Sequence, residues 1–348
     1  MSTTIDDIAK ACKLSRATVS RVLQNSPNVS ARSRQLVERV IRETGYQPNQ
    51  MAQSLAQGFS NTVALIVGNI SSIAQIEITK TIQKRLYEQR FMLWLCNSDY
   101  NVDICDSYLD IALASKLAGT FLITAAATPN KLAQTSTSDM PIVLVNRQDL
   151  TSSCDSIVGD DQKAAYQAVS LLLSMGHKNV VLLSVPQTMV AGRNAYWGYR
   201  SALVDHGLPF SDDFVYEIDI SAYSDVLQTR HPFEASLLFS QHPDTTAVIC
   251  LSHEVAVDFY IQCRKLGKQI PQDLSIVSLD PVQTSQLPEI TFSTFGASQQ
   301  ALGEAAVDQM LTRIQARKLY RNGEKRYSSS NIIIEPTYIE GNSIQAIG

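Results

Sequence analysis

Chemistry-bearing side chains are densest between Ser15 and Arg21. In seven residues the chain sets out Ser15, Arg16, Ala17, Thr18, Ser20 and Arg21 around a single buried-type valine, Val19. An arginine presents a planar fork of donors that matches two acceptors on a guanine edge or the oxygens of a phosphate. Hydroxyls and the free amides at a helix start add phosphate contacts, and a methyl group offers only apolar contact. Arg16 is therefore the leading base-reading candidate, with Ala17 limited to packing. This is the chemistry of a nucleic-acid surface; it is not the acid, base and nucleophile set of a catalyst.

Those groups need a helix to hold them. Thr4 and Asp7 form a capping box that opens a first helix. Lys13-Leu14 makes a tight break, Ser15 caps a second helix ending near Leu23, and Val19, Val22 and Leu23 give it one apolar face. Asn25-Ser26-Pro27-Asn28 is a turn, Ser30 caps a third helix, and Leu36, Val37, Val40 and Ile41 stripe it until Gly45. Two short helices across a tight turn, braced by a longer third, predict a helix-turn-helix unit.

Charge follows the same division. Residues 1–60 carry eight Lys or Arg against four acids, a balance of +4, while the remaining 288 residues carry −8. The overall pI near 5.8 thus conceals a basic head, and phosphate contact needs only a local positive face. After the head, Gly45-Tyr46-Gln47-Pro48 redirects the chain, and Asn49 caps a short stretch, Gln50–Gln57, too brief to hold a helix alone in water.

From Asn61 the pattern becomes alternating strand and helix. Predicted strands are Thr62–Val67, Phe91–Cys96, Phe121–Thr124, Pro141–Val145, Ser156–Val158, Val180–Ser184, Phe214–Ile218, Ala247–Leu251 and Leu274–Leu279. Predicted helices are Ile73–Glu88, Asp103–Lys116, Asp161–Met175, Ala195–Asp205, Pro232–Ser240 and Glu254–Leu266. Uninterrupted apolar strands alternating with helices imply parallel sheets covered on both faces, with a ligand crevice beyond the strand ends.

The runs IDDIAKACKLSRATVSRVLQNSPNVS and GYQPNQMAQSL closely resemble the DNA-binding head and hinge of the LacI/GalR family of bacterial transcriptional regulators. TVALIVGNIS, PIVLVNR, GHKNVVLLS, YWGYRSAL, IPQDLSIVSLD and LGEAAVDQML extend the resemblance over nearly the whole chain. The implied fold is an all-α helix-turn-helix head followed by an α/β body. That body is two Rossmann-like subdomains with parallel sheets, type I periplasmic-binding-protein-like, joined by three crossing segments. On this pattern residues 1–48 form the head and 49–60 the hinge helix and linker. Residues 61–160 plus 292–323 form the N-terminal effector subdomain, and 161–291 plus 324–340 the C-terminal one.

The resemblance also implies partners and sites. It implies a cytoplasmic homodimer on double-stranded operator DNA of approximate twofold symmetry, acting as a repressor of a carbohydrate-utilisation operon. DNA contacts are expected from Thr4, Ser15, Arg16, Ala17, Thr18, Ser20, Arg21, Asn28, Val29, Ser30, Tyr46, Asn49, Ala52 and Leu55. Leu55 is the side chain levered into the minor groove. For the small-molecule effector, a sugar or sugar derivative, the candidate contacts are those in the loops that follow the strands: Asn69, Ser71, Ser72, Gln75, Asn146, Arg147, Arg193, Asn194, Tyr196, Trp197, Ser252, His253 and Asp280. Neutral amides and hydroxyls suit ring hydroxyls, which both donate and accept. Arg147 and Asp280 can alternatively pair with each other, Tyr196 and Trp197 can be core or dimer-surface aromatics, and His253 can be a helix-start residue.

Several family positions differ here. Lys13 stands where glycine is usual in the turn, at a left-handed position that costs backbone energy but can add a phosphate contact. The pocket aromatic expected near Ile73-Ala74 is missing, and the pocket arginine position is Ala195, with Arg193 two residues earlier. Ser252-His253 replaces an Asn-Asp pair, and Asp280 is followed by Pro281 instead of a second acid. These departures open three further options: an acidic sugar or phosphate held by Arg147 and Arg193, a non-sugar ligand, or a vestigial pocket on a constitutive or corepressor-dependent regulator. A solute-binding protein without DNA function is a rival that leaves Arg16, Arg21 and Leu55 unexplained.

Other classes are excluded more simply. Walker, GxGxxG and GxSxG patterns are absent, which argues against an enzyme. Six scattered cysteines and five histidines form no ligand spacing, so no metal and no cofactor is expected. Apolar runs are of strand length, so no membrane span is expected, and the first ten residues lack a secretory core. The C-terminal stretch lacks heptad leucines, which favours a dimer over a tetramer.

Overall fold

The computed structural model describes residues 4–23, 28–46, 60–138, 140–148, 154–219, 233–282, 287, 289–319 and 328–347. It divides into two compact units, Met1–Asn61 and Thr62–Gly348. In the first, α1 (Ile5–Cys12), α2 (Arg16–Leu23) and α3 (Ala31–Thr44) enclose Ile8, Val19, Val22, Val37 and Val40. A hydroxyl caps each helix start. Thr4 completes its capping box with Asp7, Ser15 Oγ accepts from Thr18 N at 3.1 Å, and Ser30 Oγ accepts from Ser33 N at 3.2 Å. Lys13 takes the left-handed conformation expected of it, φ 53°, so that the chain turns sharply between α1 and α2. The predicted hinge positions Asn49, Ala52 and Leu55 lie outside the described residues.

The second unit holds two six-stranded sheets. The first contains β1 (Thr62–Val67), β2 (Met92–Asn97), β3 (Gly119–Ile123), β4 (Ile142–Val145), β5 (Asp155–Gly159) and, from far along the chain, β11 (Asn331–Ile334). Their order across the sheet is β11-β5-β4-β3-β1-β2, all parallel. Helices α4 (Ile73–Glu88), α5 (Val102–Ala114), α6 (Pro129–Ser136) and α11 (Gln299–Leu319) belong to this subdomain; α11 packs on α4, β4 and β5. The second sheet, ordered β12-β10-β9-β8-β6-β7, comprises β6 (Val180–Ser184), β7 (Val215–Glu217), β8 (Ala247–Cys250), β9 (Ser275–Ser278), β10 (Ser293–Gly296) and β12 (Thr337–Ile339). Its helices are α7 (Asp161–Ser174), α8 (Val190–Asp205), α9 (Ala235–Gln241) and α10 (His253–Lys265).

Alternation along β6 shows why this sequence makes a two-sided sheet. Val180 and Leu182 pack with Val169, Leu172 and Tyr199 on one face; Val181 and Leu183 pack with Val248, Phe259 and Ile276 on the other. Successive strand side chains point to opposite faces, and here both faces are covered, so neither set can be polar. Each such buried aliphatic contributes about 1.5–3 kcal/mol of transfer free energy.

The chain crosses between the sheets three times: after β5, after β10 and between β11 and β12. This places residues 293–296 in the second sheet and 331–334 in the first, whereas the bounds the resemblance implies put 292–323 with the first subdomain and 324–340 with the second. β12 also runs antiparallel to β10, so the second sheet is not wholly parallel. Helices α6 and α11 and strands β10, β11 and β12 carry no predicted element. In β11 only alternate residues are half-buried and the others are exposed, and β12 has three residues, too few to establish a period.

Candidate functional site

On α2 the polar side chains stand clear of the head core. Ser15, Arg16, Ala17 and Arg21 are exposed, Thr18 and Ser20 half-buried, and Val19 and Val22 buried. Arg16 Nη1 lies 3.6 Å from Asp6 Oδ2, a solvent-exposed pair worth little by itself. Asn28 and Ser30 are exposed before α3 and Val29 is half-buried. Tyr46 is 9% exposed against the head core, and burial raises its phenol above the ordinary value. Thr4, Ser15 and Ser30 thus have structural duties as caps in addition to any contact they make outside the head.

In the body, a cavity of about 180 Å³ opens beyond the strand ends, lined from the first subdomain by Thr124, Asn146, Arg147, Val158 and Gln299 and from the second by Asp161, Asn194, Ser252, Leu279 and Asp280. A second lobe of about 140 Å³ shares Thr124, Asn146, Ser252 and Asp280 with it and adds Asn69, Ser71, Ser72, Gln75, Tyr100 and Glu254. The first lobe is mainly apolar-walled; the second is a web of internal hydrogen bonds. Gln75 Oε1 accepts from Asn69 N at 3.0 Å, Gln75 Nε2 donates to Tyr100 Oη at 3.1 Å, and Asn69 Oδ1 accepts from Ser71 N at 2.8 Å. Burial beside Glu254 pushes the Tyr100 phenol up to about 12.

Backbone strain gathers at this mouth. Tyr100, Thr124 and Asn146, just past the ends of β2, β3 and β4, have φ of 57°, 52° and 51°. For β-branched Thr124 that region costs on the order of 1–3 kcal/mol, a cost met where a surrounding site over-determines the turn. Gly68 leaves room for the Tyr100 ring; a Cβ there would sit 2.6 Å from Tyr100 Cε1.

Nine of the thirteen predicted effector positions reach these lobes: Asn69, Ser71, Ser72, Gln75, Asn146, Arg147, Asn194, Ser252 and Asp280. Arg147 and Asp280 do not pair. Arg147 Nη1 donates to the Ala125 carbonyl at 2.6 Å and Nη2 to that of Ala127 at 3.3 Å, while Asp280 Oδ1 accepts from Gln299 Nε2.

The other four positions point elsewhere. Arg193 is half-buried on α8 outside the lining. Tyr196 is buried edge-on against Phe210 with its hydroxyl donating to Asp212 at 2.8 Å. Trp197 is 45% exposed under Arg200. His253 is 2% exposed beside Phe292, its two ring nitrogens without hydrogen-bond partners, and burial holds its pKa below the usual value. Residues the sequence reading passed over are Tyr100, Thr124, Asp161 and Gln299. Their signal was positional: Tyr100 and Thr124 follow strands, and Asp161 starts a helix after one.

Among the described residues no group of His, Cys, Asp or Glu side chains is placed to hold a metal ion, and no helix is long and apolar enough to cross a membrane. All six cysteines are buried and none is joined in a disulfide.

Comparison with known proteins gives two family matches. Residues 4–49 match "Bacterial regulatory proteins, lacI family", and residues 61–341 match "Periplasmic binding proteins and sugar binding domain of LacI family". Catabolite control protein A of Priestia megaterium is 29% identical over 294 residues, covering 84% of this chain and 87% of that protein. HTH-type transcriptional regulator DegA of Bacillus subtilis (strain 168) is 26% identical over 342 residues, 97% of each chain. Among solved structures, the lac repressor dimer bound to operator and the anti-inducer ONPF superposes with a TM-score of 0.74 at 21% identity, over 99% of this chain and all of that one, which shows the shared fold. Head and body are both matched over almost their full described length, and the chain belongs to the LacI family as a DNA-binding transcriptional regulator, not an enzyme.

Proposed function

We propose that this regulator is a homodimeric repressor that leaves its operator, or grips it more tightly, according to which small hydroxylated metabolite occupies the cleft. The observation that carries this reading is the cleft's composition. Asn146 comes from the first subdomain and Ser252 and Asp280 from the second, so one ligand touching all three responds to the angle between them. A ligand shifts the equilibrium only by its differential affinity for the two arrangements. Two solved structures of similar fold, the transcriptional regulator CelR in complex with cellobiose and a LacI family regulator from Enterococcus faecium with bound ribose, support a sugar or sugar derivative.

Dimerisation is supported by an apolar patch on the first subdomain. Edge strand β2 exposes Met92 and Leu95, and Tyr87 at the end of α4 is 80% exposed. An uncovered edge of this kind is normally buried by a partner. In this reading Arg16 and Ala17 read bases, Ser15, Thr18, Ser20 and Arg21 anchor phosphates, and Leu55 of the hinge wedges the minor groove. The cytoplasm, where the DNA is, is the proposed location. Titrating a palindromic operator with purified protein, with and without a panel of sugars, sugar acids and nucleosides, tests the scheme. A monomer with no preference for a symmetric site over random DNA would end it, whereas unchanged affinity across the panel would end only the switch.

A further inference from the structure

The larger lobe of the cleft is unusual in what it asks of a ligand. Gln299 is 6% exposed, its Nε2 donates to Asp280 Oδ1, and its Oε1 has no hydrogen-bond partner although the residue lines the cavity. While Asp280 is ionised the amide keeps Nε2 on the carboxylate, which leaves the buried Oε1 without a donor. Asp161 and Asp280 line the same cavity, and the charged neighbours bearing on Asp280 are two further acids, Glu254 and Asp161. Arg147, the cavity's arginine, directs its guanidinium to the carbonyls of Ala125 and Ala127.

Once both acids are ionised, the polar part of this otherwise apolar wall presents acceptors and negative charge together. An acidic sugar or a phosphate would meet like charge at Asp161, Asp280 and Glu254, which counts against an acidic ligand held by Arg147 and Arg193. A hydroxyl brings one proton to such a wall; an ammonium brings three and a compensating charge.

We propose that the effector is an amine-bearing polyol of aminosugar size, its ammonium held between Asp161 and Asp280 beside Gln299 and its ring against Val158 and Leu279. This rests on the cleft being the effector site and names the chemical class that site selects. Electrostatics agree. Burial and Asp160 push the Asp161 carboxyl up to about 7; burial, then Glu254 and Asp161, do the same to Asp280, against hydrogen bonds from the His253 amide and Gln299. A cation relieves that penalty, so the amine's affinity rises as both acids ionise between pH 5.5 and 7.

The test is calorimetry on the full chain with matched probes: D-glucosamine against D-glucose and N-acetyl-D-glucosamine, D-galactosamine against D-galactose, and D-glucuronate as the acid. At least one amine is expected to bind roughly tenfold or more tighter than its hydroxyl and acetylated counterparts. Asp161→Asn and Asp280→Asn are expected to abolish that preference while melting no lower than the unmodified protein. For the unmodified protein alone, affinity rising from pH 5.5 to pH 7 gives an independent reading. Equal or tighter binding of a neutral or acidic probe overturns the amine assignment and leaves the cleft as the effector site. Binding of none of the probes also overturns it, and the operator titration then decides separately whether the cleft is used at all.

Discussion

Ser72 Oγ donates a 2.8 Å hydrogen bond to Glu254 Oε1, tying the start of α4 in the first subdomain to the first turn of α10 in the second. Ser72 is the N-cap of α4, yet its hydroxyl makes no capping bond there, unlike those of Thr4 and Ser252. A group suited to stabilising its own helix is spent instead on spanning the cleft. Hydrogen bonds to charged acceptors are worth about 1.5–3 kcal/mol. Ser72→Ala is expected to favour the parted arrangement of the two subdomains, read as a larger radius of gyration in small-angle scattering of the ligand-free protein and a change of several-fold in operator affinity. Unchanged values for both would remove the bond from any role in the switch.

Arg16 and Lys13 are expected to fail differently on DNA. Arg16→Ala should cost about 1–3 kcal/mol of operator binding and relax preference at one base pair. Lys13→Gly relieves a left-handed φ of 53°, stabilising the head by somewhat under ~1 kcal/mol, and weakens binding to all sequences alike. Fluorescence anisotropy between 50 and 200 mM salt separates them, because loss of a phosphate contact lowers the slope of log affinity on log salt by about one.

Asp280 makes stability depend on pH in a direction opposite to the usual carboxylate. Its folded pKa, about 7, lies above the unfolded value of 3.8, so the native state holds a proton that the unfolded state has lost. Stability is therefore undiminished below about pH 4 and falls as pH rises to 7, beyond which the loss is constant. Asp280→Asn should raise thermal stability at pH 8 by about 2 kcal/mol, or some 4–8 °C, and leave it nearly unchanged at pH 4. Melts in one buffer series over that range measure it, and a gain independent of pH would refute the titration.

Arg313 grips Asp155 with two donors, Nε at 2.8 Å and Nη2 at 2.7 Å, with both residues buried. The pair holds α11 to β5, and Ser330 N adds a third hydrogen bond to the same carboxylate as the chain enters β11. Arg313→Ala leaves a buried carboxylate unpaired and should destabilise the body by about 3–5 kcal/mol, some 6–15 °C in Tm. Asp155→Ala should do likewise. Replacing both by apolar residues of similar volume is expected to recover most of the loss, which denaturant titration would register.

Much of the machinery was legible in the residues because it is locally encoded. Thr4, Ser15 and Ser30 cap helices three residues ahead of their partners, and Val63–Val67 can only be a doubly covered strand. The pocket loops after β1 and β4 were found on the same logic, since strand ends in such sheets meet at the crevice. Failures came where direction around a helix decides. Asn194 faces the cleft, and Tyr196, two residues on and about 200° round the helix, faces Phe210 instead. Arg147 does line the cavity, but its guanidinium closes on carbonyls of the loop after β3, partners that no local pattern reveals.

The sequence alone determined the head, its charge, and, α6 apart, the succession of strands and helices as far as β9, because capping, periodicity and sign of charge act over a few residues. Tertiary structure alone decided that 293–296 and 331–334 exchange sheets, that Gln299 and Asp161 meet Asp280, and that Ser72 reaches Glu254. Those contacts join residues separated by up to 182 positions. Their partners are chosen by how whole layers pack, and no short-range propensity carries that information.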